Sequence, residues 1–583
     1  MRLYFFTNIF IINEIDNLKY YVERFFYFKK NISLFNYILY KLGNKNRVPL
    51  KGENFKKFLD KSKLLNLKFK KEKLHKFLLV ENFVNHPCYV YANILSAKFL
   101  NEFYQYKLLG VLREGDIKAE IIFKAFGVRN FYILRRPNLI SRIIYLIKAL
   151  YLIGNVKNIN EFCKIKFNRI EVGYSTYDSY IRYAGDPSLK KINPKLISML
   201  SLCLYDCDQL KKNLFSKKNI KISVQSETVF NPLNSFFQLS LLNKIKVFSR
   251  CGQHELSLRH YTNWQQRHTY RYNVSQKIFD AVIKNNKIKI LKWFKKFKKD
   301  SFINKSIGYD PRIGKLYKIS KKILNKEQLN TYFGWKNKKI VVFFFNHFID
   351  RNYHNGPRIN FQDSYSWTKF ALEKIKKNRS VNWIIKPHPT EKFYNSKKNF
   401  DKYIAYLIKN HENIKLFPET LNNLSLIKSA DLAITSNGSV GMEYPAFGIN
   451  CAYAEKSTYS NLNFTTPLKN KSSIDQLFEN IVNFKNKPSM DYTFKSKCYL
   501  YIQKKALLSK CTLLPKDDIS RSVDEENFWK KCTNLQKNYT LKDDLFFQML
   551  SIQLRYRMRH TLNIKDNKIK IILKQMNDYN DKI

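Results

Sequence analysis

Five short apolar runs recur through the second half of the chain: KIVVFFF (339–345), VNWIIK (381–386), NIKLF (413–417), DLAIT (431–435) and INCAYA (449–454). Their apolar residues are continuous rather than alternating, as in strands buried on both faces. Helical patterns separate them at 363–377, 397–410, 421–430, from SNGS to about 447, and at 473–485. Parallel strands need crossover connections, and helices supply them. This half is therefore predicted to be a doubly wound α/β domain, a parallel sheet covered on both faces.

The first half repeats the rhythm less regularly. KFLLVE (76–81), KLLGVL (107–112), NFYIL (130–134), IKISVQ (220–225) and KIKVF (244–248) read as strands, with helices at 86–103, 116–126, around 138–152 and at 231–244. A length of 583 residues suits two such domains with terminal additions. The expected division is an N-terminal extension over 1–75, a first α/β domain over 76–330, a second over 331–487 and a helical tail over 488–583, one helix of which can cross back to the first domain. Near the junction, KNNKIKILKWFKKFKK (284–299) places Ile290, Leu291, Phe294 and Phe297 on one helical face and Lys on the others. It reads either as a Lys-covered helix packed on its own domain or as a membrane-surface helix.

Charge is lopsided: 105 Lys+Arg stand against 46 Asp+Glu, a formal net charge of +59. Only 22 of the basic residues are Arg. Lys, Asn, Ile, Phe and Tyr are all abundant and all have A/T-rich codons, so a biased genome explains the excess as well as an anionic membrane face or an anionic substrate does. There is no zinc-finger spacing and no aromatic RNP-like strand, so no specific nucleic-acid partner is expected. The 9 Cys are sparse and include no CxxC pair, which argues against structural zinc and fits a reducing compartment. The apolar run near the N-terminus is closed by Glu14 and Asp16, is too short to span a bilayer, and is followed by no small-residue cleavage site. The expectation is a cytoplasmic protein, or one peripheral on the inner face of the cytoplasmic membrane through contact with anionic lipid.

In open α/β sheets ligands bind beyond the carboxyl ends of the strands. Three clusters fall at such ends in the second half. In Lys386-Pro387-His388-Pro389 the prolines stiffen the exit from a strand and hold an ammonium and an imidazole N–H where a phosphate can meet them. The plain alternative is a rigid surface turn that carries a His. Thr435-Ser436-Asn437-Gly438-Ser439 joins a strand to a helix, whose free amides and dipole favour an anion. Gly438 permits close approach of the backbone, and helix capping alone also explains these residues. Glu443, about one turn into that helix, suits the two hydroxyls of a ribose, or is a helix-start acid favoured by the dipole.

The KPHP segment, followed about 50 residues later by SNGSxxxExxxxGxx before a strand, resembles the nucleotide-binding half of GT-B glycosyltransferases. It is similar in particular to the capsule and surface polysaccharide biosynthesis group, which includes Kdo-transferring capsule enzymes. CDP-glycerol glycerophosphotransferases look similar in this half. In NHFIDRNYHNGPRINFQDSYSWTKFAL (346–372), the residues His347, Asp350, Gly356, Phe361-Gln362-Asp363 and Trp367 resemble a stretch of that group. In EVGYSTYDSYIR (171–182), Gly173, Tyr177, Asp178, Tyr180 and Arg182 do so as well, and QSETVF (225–230) resembles a segment ending a strand that faces the cleft. The resemblance spans about 76–485 and is strongest over 339–455. Asn450 departs from it, where related sequences often place Pro, and the Lys-rich termini have no counterpart.

This resemblance implies a GT-B fold: two Rossmann-like doubly wound domains facing a cleft, here with helical N- and C-terminal extensions. It implies a glycosyltransferase that needs no metal and no cofactor. The nucleotide-sugar is a substrate, and the acceptor is a saccharide or lipid-linked chain of a bacterial surface polysaccharide. On this reading Lys386, His388, Ser436, Asn437, Gly438 and Ser439 hold the donor phosphates, with His388 opposing the charge of the leaving group. Glu443 takes the ribose, while Tyr177, Arg182 and Asp350 line the acceptor side. The base is Asp178, Glu227 or His347, and Asp178 can instead pair with Arg182 one turn on. The alternatives are a polyol-phosphate transferase using a CDP-alcohol and a non-catalytic basic scaffold at a membrane.

Overall fold

The computed structural model describes residues 52–72, 74–84, 86–252, 255–302, 321–389, 391, 396–485, 487–515 and 525–563. They form two compact units. Of the described residues, the first takes those from Gly52 to Ser179, then Lys191–Arg267 and Leu508–Leu562; the second takes Tyr180–Lys190, His268–Leu507 and Asn563.

The first unit is built on β1 (Leu74–Asn82), β2 (Tyr106–Arg113), β3 (Asn130–Leu134), β4 (Ile220–Gln225), β5 (Lys246–Cys251) and β6 (Glu255–Tyr261). They lie in the order β6-β5-β4-β1-β2-β3, with the short strand Ser509–Lys510 outside β6. β1 to β5 run parallel, whereas β6 and Ser509–Lys510 are antiparallel to their neighbours. Continuous apolar runs identify the buried central strands. ELSLRHY mixes polar and apolar residues as an edge strand does, and the parallel expectation passed over it.

The described residues among 52–72 and 508–562 pack into this unit rather than extend from it, a correction to the extension over 1–75 and the tail over 488–583, of which 1–51 and 564–583 lie outside the described residues. Helix Glu53–Asn66 sets Phe55 and Phe58 against Trp529 of helix Glu525–Gln536, ring centroids 5.1 and 4.5 Å apart. Phe58 also meets Tyr91 edge-on at 5.1 Å. Gln536 donates from Nε2 to Ser62 Oγ (3.0 Å) and to the Tyr91 hydroxyl (3.1 Å). Helix Leu545–Arg555 adds Phe546 and Leu550 to the same core, its first turn capped by Asp544, which accepts from Phe547 N at 3.1 Å.

The second unit carries β7 (Ile340–Phe344), β8 (Asn382–Lys386), β9 (Ile414–Leu416), β10 (Leu432–Thr435), β11 (Asn450–Tyr453) and β12 (Thr466–Pro467). All are parallel, in the order β9-β8-β7-β10-β11-β12. Numbered from the first strand, that is the 3-2-1-4-5-6 order of a Rossmann sheet. Ile340, Val342 and Ile384 face a core with Leu329, Phe417 and Leu426. On the other side Phe343 meets Trp367 at 5.9 Å and Trp383 stacks on Phe478 at 5.7 Å.

The main span of this unit runs His268–Leu507, not 331–487, because the basic amphipathic stretch belongs to it. Helix Gln276–Phe302 buries Ile290 and Phe294, and packs Trp293 and Phe297 with Phe447 and Leu500. Its apolar side is thus covered by its own unit. Leu291, expected on that face, is 43% exposed. Among the described residues no helix is long and apolar enough to cross a membrane, and all nine cysteines are buried.

Because Trp529 joins the two terminal helices to the first sheet, Trp529→Ala is expected to cost about 3–5 kcal/mol. Urea denaturation of the variant against wild type measures it.

Candidate functional site in the second unit

The strand order of the second sheet reverses between β7 and β10, where the connections to the next strands leave in opposite directions. Three segments meet at the carboxyl edge there: the loop after β7, the KPHP exit of β8 and the SNGS loop after β10. Asn346 ties the first to the third. Its Oδ1 accepts from Thr435 Oγ1 at 3.0 Å and its Nδ2 donates to Asn437 Oδ1. The amide of Phe345 donates to Lys386 O at 3.0 Å, which joins the second.

The β7 loop alternates anchors with chemistry. Phe345, Phe348 and Ile349 are buried, and Phe348 packs on Tyr365 (5.5 Å) and Phe400 (5.6 Å). Between these anchors the ring of His347 comes within 5.6 Å of the ring of His388, centroid to centroid. Ile349 N donates to His347 Nδ1 at 3.2 Å, which assigns the proton of the neutral ring to Nε2.

Burial sets the protonation of this cluster. It drives His347 down to about 3, with Asp350 opposing, and His388 to about 4. His354, lower in the same loop, falls to about 4 through burial and the nearby Arg351. All three rings are therefore neutral at neutral pH. For Asp350 burial acts upward, yet Arg351 and then Arg182 outweigh it and hold the carboxyl well below the usual range. Arg351 Nε lies 3.3 Å from one carboxyl oxygen and Arg182 Nη1 3.7 Å from the other. On the far side of His347, Glu391 Oε2 is 3.9 Å from Nδ1, and burial raises this carboxyl to about 7. The result is a pair of neutral imidazoles between a fixed anion with two guanidiniums and a carboxyl that ionises near neutrality. Strong shifts gathered in one place mark candidate functional sites.

The β10 loop is held from outside. Ser436 Oγ accepts from Arg358 Nη2 at 3.1 Å, and Arg358 lies 3.7 Å from Glu455, both buried. Glu455 accepts the amides of Ile359, Asn360 and Phe361 at 2.6, 2.9 and 2.8 Å. Gly438 N donates to Thr435 Oγ1 at 3.3 Å, and Gly438 O accepts from the Tyr459 hydroxyl at 2.8 Å. Ser439 is exposed and its side chain caps nothing.

The helix expected through about 447 is a single turn, Val440–Glu443, followed by the 3₁₀ segment Pro445–Phe447. Pro445 has no amide to continue the ladder. So short a helix has little macrodipole, and anion binding here falls to loop amides. Glu443 is half-buried within that turn. Lys386 places its ammonium over the ring of Phe417, 4.5 Å from the centroid, past the end of β9.

The remaining expected residues lie in the first unit. Tyr177 and Asp178 are buried in helix Val172–Ala184. That helix starts where Gly173 must approach Phe162 O: an added Cβ would sit 2.1 Å away. Glu227 follows β4, its Oε1 accepting from Thr228 N at 3.0 Å. The same reversal of strand order exists here between β1 and β4. It is bridged by buried Glu81, whose carboxylate accepts Ser226 N and Oγ at 2.6 Å each and Phe83 N at 2.7 Å.

Several of these residues escaped the sequence reading. Glu391 stands three positions after His388 in KPHPTE, and Arg351 and His354 lie within the stretch already singled out. Spacing alone carried no sign that burial would shift them. Arg358 and Glu455 are far apart in sequence, and no local pattern pairs them. Among the described residues no group of three or more His, Cys, Asp or Glu is placed to hold a metal ion.

No family model matches the chain, and no curated protein matches it. Two solved structures are similar in part. One is the beta Kdo 2,4 transferase KpsC of Thermosulfurimonas dismutans, 9% identical over 48% of this chain and 79% of that chain, with a TM-score of 0.26. The other is the UDP-GlcNAc 2-epimerase from Neisseria meningitidis bound to UDP-GlcNAc, 11% identical over 74% of this chain and 99% of that chain, with a TM-score of 0.22. Likeness at these scores carries no argument about this chain. The strand orders above stand on their own.

The shifted groups predict an acid-side loss of stability. The unfolded chain takes up protons near 6.5 that folded His347, His354 and His388 refuse until about 3 to 4, so stability falls as pH falls through that window. Glu391 acts in the opposite sense. Its folded value of about 7 exceeds the ordinary 4.5, so its contribution is full below 4.5 and is lost as pH rises through about 7. Urea midpoints measured between pH 7.5 and 4.5 (about one Tm or midpoint per half unit) are expected to decline toward acid, more shallowly in His388→Gln and more steeply in Glu391→Gln.

Proposed function

We propose that this chain is a glycosyltransferase that moves a sugar from a nucleotide-sugar donor to a growing bacterial surface polysaccharide. One observation carries the reading: the His347–His388 pair sits at the carboxyl edge of a Rossmann-ordered sheet, where ligands of such sheets bind, on the segments whose motifs resemble the capsule polysaccharide group.

The hard step in such a transfer is departure of a nucleotide phosphate from the anomeric carbon. His388 meets that phosphate as a neutral N–H donor. As negative charge develops on the leaving oxygen, the hydrogen bond that the imidazole N–H donates to it strengthens. Arg182 and Arg351, oriented by Asp350, add positive charge beside the pair, and the amides of Asn437–Ser439 supply further donors. Ser436 is held by Arg358 and shapes the loop. Glu443 is assigned to the ribose and Lys386 to the outer phosphate. The acceptor-side base is His347, whose ring lies in this cluster, or Asp178 or Glu227, which the motif resemblance alone supports. Glu391 holds or releases a proton near neutral pH beside His347, whose tautomer the Ile349 amide sets. The reading needs no metal and no cofactor; the acceptor is a saccharide or lipid-linked chain, and the chain works at the inner face of the cytoplasmic membrane.

The test is a thermal-shift screen with CMP-, UDP- and GDP-sugars and with CDP-glycerol, followed by a transfer assay with the stabilising donor. Saturating donor is expected to stabilise the protein by roughly 2–4 kcal/mol. His388→Ala is expected to lose that shift and to lower transfer by about 10²–10³-fold. No stabilisation by any nucleotide-sugar, or wild-type transfer in His388→Ala, would sink the reading. A shift with CDP-glycerol alone would convert it to polyol-phosphate transfer.

A further inference from the structure

Helix Leu139–Ile153 of the first unit is largely apolar yet buries only one side. Tyr145, Leu146 and Ala149 face inward, and Tyr145 meets Tyr205 of helix Pro194–Gln209 edge-on at 5.4 Å. On the opposite side Ile140, Ile144, Ile147 and Tyr151 are 69, 45, 56 and 85% exposed. Spacings of four, three and four residues stack these four on one stripe. Single exposed apolar residues need no explanation, but a continuous stripe does.

The stretch of sequence that carries the stripe holds charge of one sign, although Glu114 and Asp208 approach Arg136 and Lys148 from other segments. Residues 121–160 contain Lys124, Arg129, Arg135, Arg136, Arg142, Lys148 and Lys157, and no Asp or Glu. Four of these seven are Arg, against 22 Arg among the 105 basic residues of the chain, so the general Lys excess does not account for them. Ser141, Arg142 and Tyr145 of the same helix, with Arg136 and Tyr205, line a small open pocket of about 60 Å³. The acid behind the helix, Asp208, is already met by the Tyr145 hydroxyl at 2.6 Å, by Asn168 Nδ2 at 2.9 Å, and by Lys148 and Lys212.

We propose that helix Leu139–Ile153 docks the first unit on an anionic bilayer. Ile140, Ile144, Ile147 and Tyr151 enter the boundary between head groups and acyl chains, and Arg135, Arg136 and Arg142 meet lipid phosphates. A helix lying in the interface is held by these two terms, buried apolar area and attraction to anionic head groups. The basic helix Gln276–Phe302, the other candidate in the chain, has its apolar side covered by its own unit and lacks the first of them.

The experiment is sedimentation of the full chain with phosphatidylcholine–phosphatidylglycerol vesicles and with phosphatidylcholine vesicles, at low and at raised salt. Binding is expected to the anionic vesicles, and to be weakened roughly tenfold or more by the double substitution Ile144→Glu, Ile147→Glu. These side chains are exposed, so the variant should keep the wild-type urea midpoint. All nine native cysteines are buried, so the thiol of an Ile147→Cys variant can be followed by maleimide labelling. It should react freely in buffer and be protected by anionic vesicles. No binding by the wild type, or equal binding by the double variant, overturns the proposal; the second result would assign membrane affinity to lysines elsewhere. Protection of the Ile147→Cys thiol without vesicles also overturns it. In that case loss of protection on dilution would assign the stripe to a second copy of the chain, and persistence on dilution to another part of the same chain.

Discussion

A parallel sheet whose strand order turns back on itself must open at the turning point. In the second unit that point falls between β7 and β10, and hydrogen bonds from Asn346 to Thr435 and Asn437 set how far the two loops part. The loop after β7 is then drawn down by Phe345, Phe348 and Ile349, and burying these three brings His347 to His388. Without the apolar anchors the histidines would sit in solvent with ordinary titration. The chemistry of the cluster therefore follows from packing before it follows from any charge.

Two kinds of buried ionisable group stand side by side in this unit. Glu455 accepts three backbone amides and pairs with Arg358; its charge is fully met, and it holds a loop in place. In His347, His388 and Glu391 burial instead pushes each group toward its neutral form. The first unit offers the contrast. At its own strand reversal Glu81 bridges to Ser226 and Phe83, and the position is bound internally.

The strands and helices of the second unit were legible because burial on both faces leaves nothing but apolar residues in the run, as in IVVFF and LAIT. Pro and Gly punctuate the exits that carry function, so KPHP and SNGS stood out. The weaker parts have physical causes. The antiparallel strand ELSLRHY carries a mixed pattern, and the two-residue strands Thr466–Pro467 and Ser509–Lys510 are too short to have one. The helix after β10 stops early because a proline withholds one amide. The terminal regions looked detachable because their partner, the aromatic cluster of Phe55, Phe58 and Trp529, joins residues from opposite ends of the chain.

What the amino-acid order determined by itself is local: which segments become strand or helix, and that His388 and the Ser436–Ser439 loop stand at strand ends. Periodicity and proline act within a few residues, so they can be read along one dimension. Only the tertiary structure decided that Arg182 and Arg351 clamp Asp350, that Glu391 ionises near neutrality, and that one amphipathic helix is covered while another, Leu139–Ile153, is bare. Those outcomes depend on which distant side chains exclude water from a given atom, and desolvation is a property of three-dimensional packing that no spacing in the sequence encodes.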